Sequence, residues 1–375
     1  MKRAPLWLLI AAALLAANAA GAQQTDTTVR PKLDAQADTN DWRAYFQYGM
    51  TQLRARPSKA DAAFYWASRL GPNRAEPLYG RWVAFWLRNV SVFEDYEYGG
   101  KSFPEAERAE SLAARAVWRN PLLPQTLNVL IYDLLPGEWQ EDPLTRGLLL
   151  AAAGRNAEAV VLWGRAEHSE PKFAWWVRYN RAIALGQLQQ YDSAIAELRT
   201  LVSEVDRRDA GRTLHWYSSR ETVDYAIGQL HIGQGLYDSA RVDFQQSLLE
   251  NLAYAPAHAA LGELALADGA PSTAAKEFAQ AVDLVPRDVW YRYRLGAALI
   301  AAHQPDSAAT VLADVVHREP LLAMAYYDWG RACEMRRDTA AALAAYRSFL
   351  TRAARRDSVT TQWAAERVRA LSGQE

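Results

Sequence analysis

From residue 221 to residue 356 the apolar positions recur at helical spacing, and the whole pattern then repeats every 34 residues. Gly228, Gly262, Gly296 and Gly330 stand 34 apart, and Ala240, Ala274, Ala308 and Ala342 keep the same spacing, twelve residues after each glycine. Four positions beyond each alanine comes a large side chain, Phe244, Phe278, Leu312 or Tyr346. Pro286 and Pro320 close two of the units. Each column has a physical reason. A glycine inside a first helix lets a second helix come close, which outweighs its cost of roughly 1 kcal/mol in a helix. The alanine marks the facing contact, and the large residue on the same face of the second helix fills the space between neighbouring pairs. Proline stops the second helix. Gly235–Ser239, Asp268–Ser272 and His303–Ser307 read as the turns between the paired helices, with Asp or Ser placed to cap the second one. The pattern predicts an all-α chain of helix–turn–helix units.

A 34-residue unit with these columns resembles the tetratricopeptide repeat family, most closely over residues 255–288, where Leu261, Gly262, Gly269, Ala274, Phe278, Ala281 and Pro286 occupy its signature positions. The resemblance implies an α-solenoid of about seven to eight repeats wound into a right-handed superhelix, its concave face lined by the first helix of each pair. Upstream the register is looser. Gly147, Gly154, Ala159, Trp163, Ala166 and Pro171 mark a unit near 140–173, and Tyr191 to Ala194 with Leu198 mark one near 174–208, where Ala182 replaces the glycine. An insertion separates this pair of units, 140–208, from the regular block 221–356; it falls within 206–220 and is bounded as 209–220. Residues 41–139 hold divergent repeats. Ala60, Phe64, Ala67 and Pro72 indicate one at 41–74, with Tyr48 in place of the glycine. Gly80, Trp82, Trp86, Ala109, Ala116 and Pro121 indicate another, interrupted by an insertion near 89–104. Residues 357–375 supply a capping helix and tail, with Trp363 facing inward and arginines facing out.

The first residues follow a different rule. Lys2 and Arg3 precede twelve apolar residues, Leu6 to Ala17, and Ala20-Gly21-Ala22 offers small residues for a signal peptidase. Twelve residues are too few to cross a bilayer comfortably, so 1–22 reads as a cleaved secretory signal of bacterial type, and 23–40 as a polar, flexible lead-in. The expectation is an exported protein, periplasmic or secreted, with no transmembrane span after cleavage. One cysteine, Cys333, permits no internal disulfide, so packing alone must stabilise the chain. A net charge of −1 argues against nucleic acid, which requires a basic stripe.

No catalytic constellation stands out. Gly100-Lys101-Ser102 ends like a phosphate loop, but Asp95 holds the position of the required glycine. His168, His215, His231, His258, His303 and His317 contain no pair at metal-ligand spacing, and Cys333 falls in an apolar column. Neither a cofactor nor a metal is expected. Asn89-Val90-Ser91 is a sequon, meaningful only in a glycosylating host.

The candidate binding residues are aromatic. Three positions before the glycine column stand Tyr179, Tyr225, Ala259, Tyr293 and Tyr327, and three further back stand Trp176, Thr222, Pro256, Trp290 and Met324. In the family resembled, these positions point into the concave groove, and its carboxylate-clamp members carry Lys and Asn there. This chain does not, so capture of an acidic C-terminus is not implied. A tyrosine-lined groove suits an extended or helical peptide with apolar or proline side chains. Trp176, Tyr179, Tyr225, Trp290, Tyr293, Tyr327 and Arg331 are therefore the expected groove, with Glu334 at its end, in a non-catalytic scaffold for a protein or peptide partner. By resemblance alone, such exported proteins serve in envelope assembly, secretion or polysaccharide export. The alternative is a carbohydrate or small-molecule site in the Trp-rich N-terminal half, around Phe93-Glu94-Asp95-Tyr96-Glu97-Tyr98. The two differ in what must be exposed: the tyrosines along one face, or a local aromatic cluster near 82–98. An enzyme of unrecognised type is the remaining class.

Overall fold

The computed structural model describes residues 28–93, 104–134, 142–166, 174–208 and 219–373. Among them every regular element is helical. The first pair is α1 (Trp42–Gln52) and α2 (Pro57–Leu70), and the second is α3 (Ala75–Arg88) and α4 (Pro104–Arg119). Short 3-10 turns at Val90–Val92 and Thr126–Asn128 and a single-turn α5 (Val129–Tyr132) stand apart from the pairs. Next come α6 (Pro143–Ala152) with α7 (Asn156–Ala166), and α8 (Ala174–Gln187) with α9 (Tyr191–Arg208). The regular block holds α10 (Arg220–Gln234) with α11 (Tyr237–Glu250), α12 (Ala255–Ala267) with α13 (Pro271–Leu284), α14 (Val289–Ala301) with α15 (Pro305–Arg318), and α16 (Ala323–Met335) with α17 (Thr339–Arg352). The last helix is α18 (Ser358–Leu371). Most of both insertions, 94–103 and 209–218, lies outside the described residues. None of the described helices is long and apolar enough to cross a membrane.

Within each of two compact units, successive helices pack on one another, the signature of a helical-repeat solenoid. The first gathers Gly49–Asp61 and Ala75–Leu252, the second Thr28–Tyr48, Ala62–Arg74 and Ala253–Glu375. The first unit's core joins α8, α9 and α10 through Tyr179, Ala182, Ala194, Leu198, Leu201, Ala226 and Leu230. The second unit's core runs through Ala274, Phe278, Ala308, Leu312, Val315, Ala342, Tyr346 and Phe349.

The columns of the sequence become contacts inside this packing. A Cβ built on Gly228 would lie 2.4 Å from the Phe244 ring, one on Gly296 2.6 Å from Leu312, and one on Gly330 2.6 Å from Tyr346. The large side chain thus lies over the glycine of its own pair rather than only between pairs. Seven residues after the glycine column the chain turns left-handed, at Gly154 (φ 76°), Gly235 (φ 76°) and Gly269 (φ 70°). Gln189, His303 and Arg337 hold the same position at φ 60°, 55° and 61°. The next N–H then reaches back five residues, as from Leu236 to the His231 carbonyl at 2.9 Å and from Gln304 to the Leu299 carbonyl at 2.9 Å. This closure satisfies carbonyls that the helix end would leave free.

The expected caps are corrected. The N-cap positions of α11, α13 and α15 are Leu236, Ala270 and Gln304, none of which caps through its side chain. Pro271 and Pro305 open their helices, and Asp238 and Asp306 fall in the first turn, where they complement the helix dipole instead. Asp288 and Asp338 do cap, at the starts of α14 and α17.

Candidate functional site

In the second unit the first helices α12, α14 and α16 carry a connected strip of aromatic and charged side chains. The Arg294 guanidinium pairs with Glu263 of the preceding first helix and lies 5.9 Å from the Trp290 ring. Trp290 meets Tyr293 at 5.2 Å between ring centroids. The Tyr293 hydroxyl donates to Asp328 at 2.9 Å, and Arg331 donates to the other oxygen of Asp328 at 3.0 Å. Arg331 also stands 6.0 Å from the Tyr327 ring, and Tyr327 packs edge-on against Trp363 of α18 at 5.3 Å. Asp328 is buried, and burial pushes its carboxyl up, countered by the Tyr293 hydroxyl and the Arg331 charge. The same burial, followed by the charge of Asp328, drives the Tyr293 phenol well up. The strip therefore has a rigid, desolvated floor of Tyr293 and Asp328. On the same helices Trp290, Met324 and Tyr327 are half-buried, and Glu263 and Arg331 are exposed. Its chemistry is recognition by apolar contact and paired charge.

Of the seven residues expected to line a groove, four are accessible and three are covered. Trp176, Trp290 and Tyr327 are half-buried and Arg331 is exposed. Tyr179, Tyr225 and Tyr293, expected to be exposed, are 0%, 6% and 6% exposed. Their hydroxyls explain why. Within the first unit, Tyr179 donates to the Pro121 carbonyl at 2.6 Å and Tyr225 to the Trp118 carbonyl at 3.4 Å. The end of α4 and the loop behind it thus lie over these rings, and Leu122 packs on the core they belong to. The chain itself covers this stretch of the first-helix face. Glu334 is also engaged, accepting from the Tyr346 hydroxyl at 3.0 Å and pairing with Arg367 of α18. Trp363 is only partly inward: its ring touches Tyr327 and Tyr346, yet it is 38% exposed. Asp328, Arg294 and Glu263 escaped the column reading. An i,i+3 pairing of Asp328 with Arg331 was the available signal.

The aromatic cluster near 82–98 exists as core. Trp82, Trp86 and Phe93 are buried, and both indoles donate to the Glu110 carboxylate, at 2.7 and 3.3 Å. Glu94 to Tyr98 and Gly100 to Ser102 lie outside the described residues, as do His168 and His215. His258 pairs with Glu277 at 2.8 Å, and His231 pairs with Asp243. Cys333 is 2% exposed and burial raises its thiol, so it is a packed core residue. Among the described residues no three His, Cys, Asp or Glu side chains come together as a metal site.

Comparison with known proteins places the tetratricopeptide repeat family model on residues 265–326. No curated protein matches the chain. Among solved structures, YrrB, described as a protein of this repeat class with an unusual peptide-binding site, aligns at 20% identity and a TM-score of 0.41. The alignment covers 51% of this chain and 91% of YrrB. The C-terminal part of a repeat-containing protein from Cytophaga hutchinsonii aligns at 16% identity and a TM-score of 0.46, covering 62% of this chain and 96% of that one. MamA aligns at 15% identity and a TM-score of 0.41, covering 48% and 92%.

Proposed function

Because this chain is a tetratricopeptide-repeat protein, we propose that it is a non-catalytic scaffold that holds a protein or peptide partner on the first-helix face of α12, α14 and α16. The observation that carries the reading is the strip just described. Half-exposed Trp290, Met324 and Tyr327 offer apolar area, and they stand on a floor already fixed by the Tyr293–Asp328–Arg331 bonds. Such pre-ordering lowers the entropy lost on binding. Aromatic anchors bordered by Arg form the kind of patch where interface energy concentrates. Side chains of Arg331 and Glu263 that are 45% and 47% exposed leave charge available at the rim. The partner surface that fits is apolar, with both an acidic and a basic group beside it. The leader-like residues 1–22 support export, and with it a periplasmic or secreted partner.

The test is capture from envelope extract by wild type and by a Trp290→Ala, Tyr327→Ala, Arg331→Glu triple variant. Tyr179, Tyr225 and Tyr293 are left intact because their hydroxyls hold the fold. The expected result is a partner bound by wild type and weakened at least tenfold by the variant, whose helical circular dichroism is unchanged. Equal capture by both proteins, or capture by neither, rejects this face as the site.

A further inference from the structure

The seam between α10 and α11 gathers acids. Asp224 of α10 is 9% exposed, and its carboxyl makes neither a hydrogen bond nor an ion pair among the described residues. The charges that bear on it there are Glu250 and Asp243 from α11, with Arg220 and Glu221 from α10. The one cation in that set is already engaged, since Arg220 pairs with Glu250 at 3.2 Å. Asp243 has His231 of α10 as its own partner and feels the charge of Arg199 in α9. The helix that brings Asp243 and Glu250 to the seam is lightly seated. α11 buries Ala240, Phe244 and Ser247, where α15 buries Ala308, Ala309, Leu312, Val315 and Val316. Its Val242 and Leu249 stand in solvent at 62% and 76% exposure. Among the described residues, the core that joins α8, α9 and α10 draws no side chain from α11. α10, by contrast, is fixed in that core by Ala226 and Leu230, and its Tyr225 hydroxyl holds the Trp118 carbonyl.

We infer that α11 is a releasable helix, seated on α10 in mild acid and loosened as the solution passes through neutrality. While Asp224 keeps its proton it is neutral, and the seam carries no charge without a partner. Once ionised, it is a buried anion beside two further acids, with no donor to satisfy it, an arrangement that costs free energy. Moving α11 relieves this, because Asp243 and Glu250 leave with it and water reaches Asp224. α10 stays, since its core contacts and its bond to Trp118 do not involve α11. The direction follows from the acid itself. Burial and the neighbouring acids hold the Asp224 carboxyl up at about 7, so the seated form binds the proton more tightly than the open one. The seated form's advantage is complete below about pH 4 and is lost as pH rises through 7. A local opening of this kind needs less free energy than unfolding the unit, because few apolar contacts break.

The experiment is amide hydrogen exchange of the full chain at pH 5.5 and pH 8, with rates corrected for the intrinsic pH dependence of the chemistry. The expected result is that α11 amides lose at least about tenfold in protection between the two pH values, while those of α10 and α15 change less than about twofold. Asp224→Asn, nearly isosteric and without charge, should abolish the loss and leave α11 protected at pH 8. Glu250→Gln, which frees Arg220 for Asp224, should shrink the loss by at least about twofold. Helical circular dichroism of both variants at pH 5.5 separates a changed seam from a failure to fold. Equal protection of α11 at the two pH values overturns the inference. So does a loss spread evenly over α10, α11 and α15, which would be a change in global stability. Histidines also change charge near neutrality. A loss that survives Asp224→Asn and disappears in His231→Gln would place the switch on the His231–Asp243 pair and overturn the role of Asp224.

Discussion

Asp224 occupies a position where neighbouring repeats place a partner for an acid on the second helix. Arg178 meets Glu197 at 3.5 Å and His258 meets Glu277 at 2.8 Å, whereas Asp224 is set against Asp243, which draws on His231. Burial, then the charges of Glu250 and Asp243, push the Asp224 carboxyl up to about 7 from an ordinary 3.8. A raised acid holds its proton more tightly in the folded chain. Its stabilising contribution is complete below about pH 4 and is lost as pH rises through 7. Asp224→Asn should therefore be more stable than wild type at pH 8, by on the order of 2 kcal/mol after allowing for its partial contact with solvent. The gain should vanish toward pH 4, where the acid and the amide are nearly isosteric. Urea unfolding at the two pH values checks both the sign and the window. A pH-independent gain would mean that packing, not titration, separates the two side chains.

Between the paired helices, the left-handed residue is set by backbone geometry rather than by residue type. Glycine takes it without strain, while His303 and Arg337 carry a Cβ there. His303→Gly should raise unfolding stability by about 0.5–1 kcal/mol, the relief of strain less the larger entropy that glycine gives the unfolded chain. Gly269→Ala should lower it by about 1 kcal/mol. Inside the helix pairs the glycine column works the other way. Gly296→Ala gains helix propensity of about 1 kcal/mol but forces a methyl to 2.6 Å from the Leu312 side chain. Overpacking costs typically about 1–3 kcal/mol, so a net loss of about 1–2 kcal/mol is expected. Combined with Leu312→Ala, the losses should sum to less than their separate values, because both variants alter one contact. Denaturant curves of the four proteins measure this directly.

At the scale of the molecule, the second unit is built from distant parts of the chain. Arg69 in α2 forms a two-pronged ion pair with Glu319, at 2.9 Å from both its Nε and its terminal nitrogen, although 250 residues separate them. Asn40 donates to the carbonyls of Thr351 and Ala353, and the Arg355 backbone N–H donates to Asp38 at 2.6 Å. Glu319 is 8% exposed, so losing its cation strands a buried charge. Arg69→Ala should cost roughly 2 kcal/mol, less than a fully enclosed pair, and a double-mutant cycle with Glu319→Ala should show coupling of at least about 1 kcal/mol. A coupling near zero would mean that the Arg69–Glu319 pair adds nothing to what holds residues 62–74 in the second unit. In a repeat array stability is otherwise a sum of local terms, so this contact is where the second unit gains a long-range one.

Periodicity alone determined the helix pairs, their glycine and alanine contacts and the turn register, because those features are set by neighbours within about 34 residues along the chain. It also placed Trp290, Tyr327 and Arg331 on one face. Column position tells which way a side chain points but not what covers it, and here the tertiary structure decided. Trp118 and Pro121 reach Tyr179 and Tyr225 from an irregular stretch behind α4, and Asp328 takes the Tyr293 hydroxyl from the next repeat.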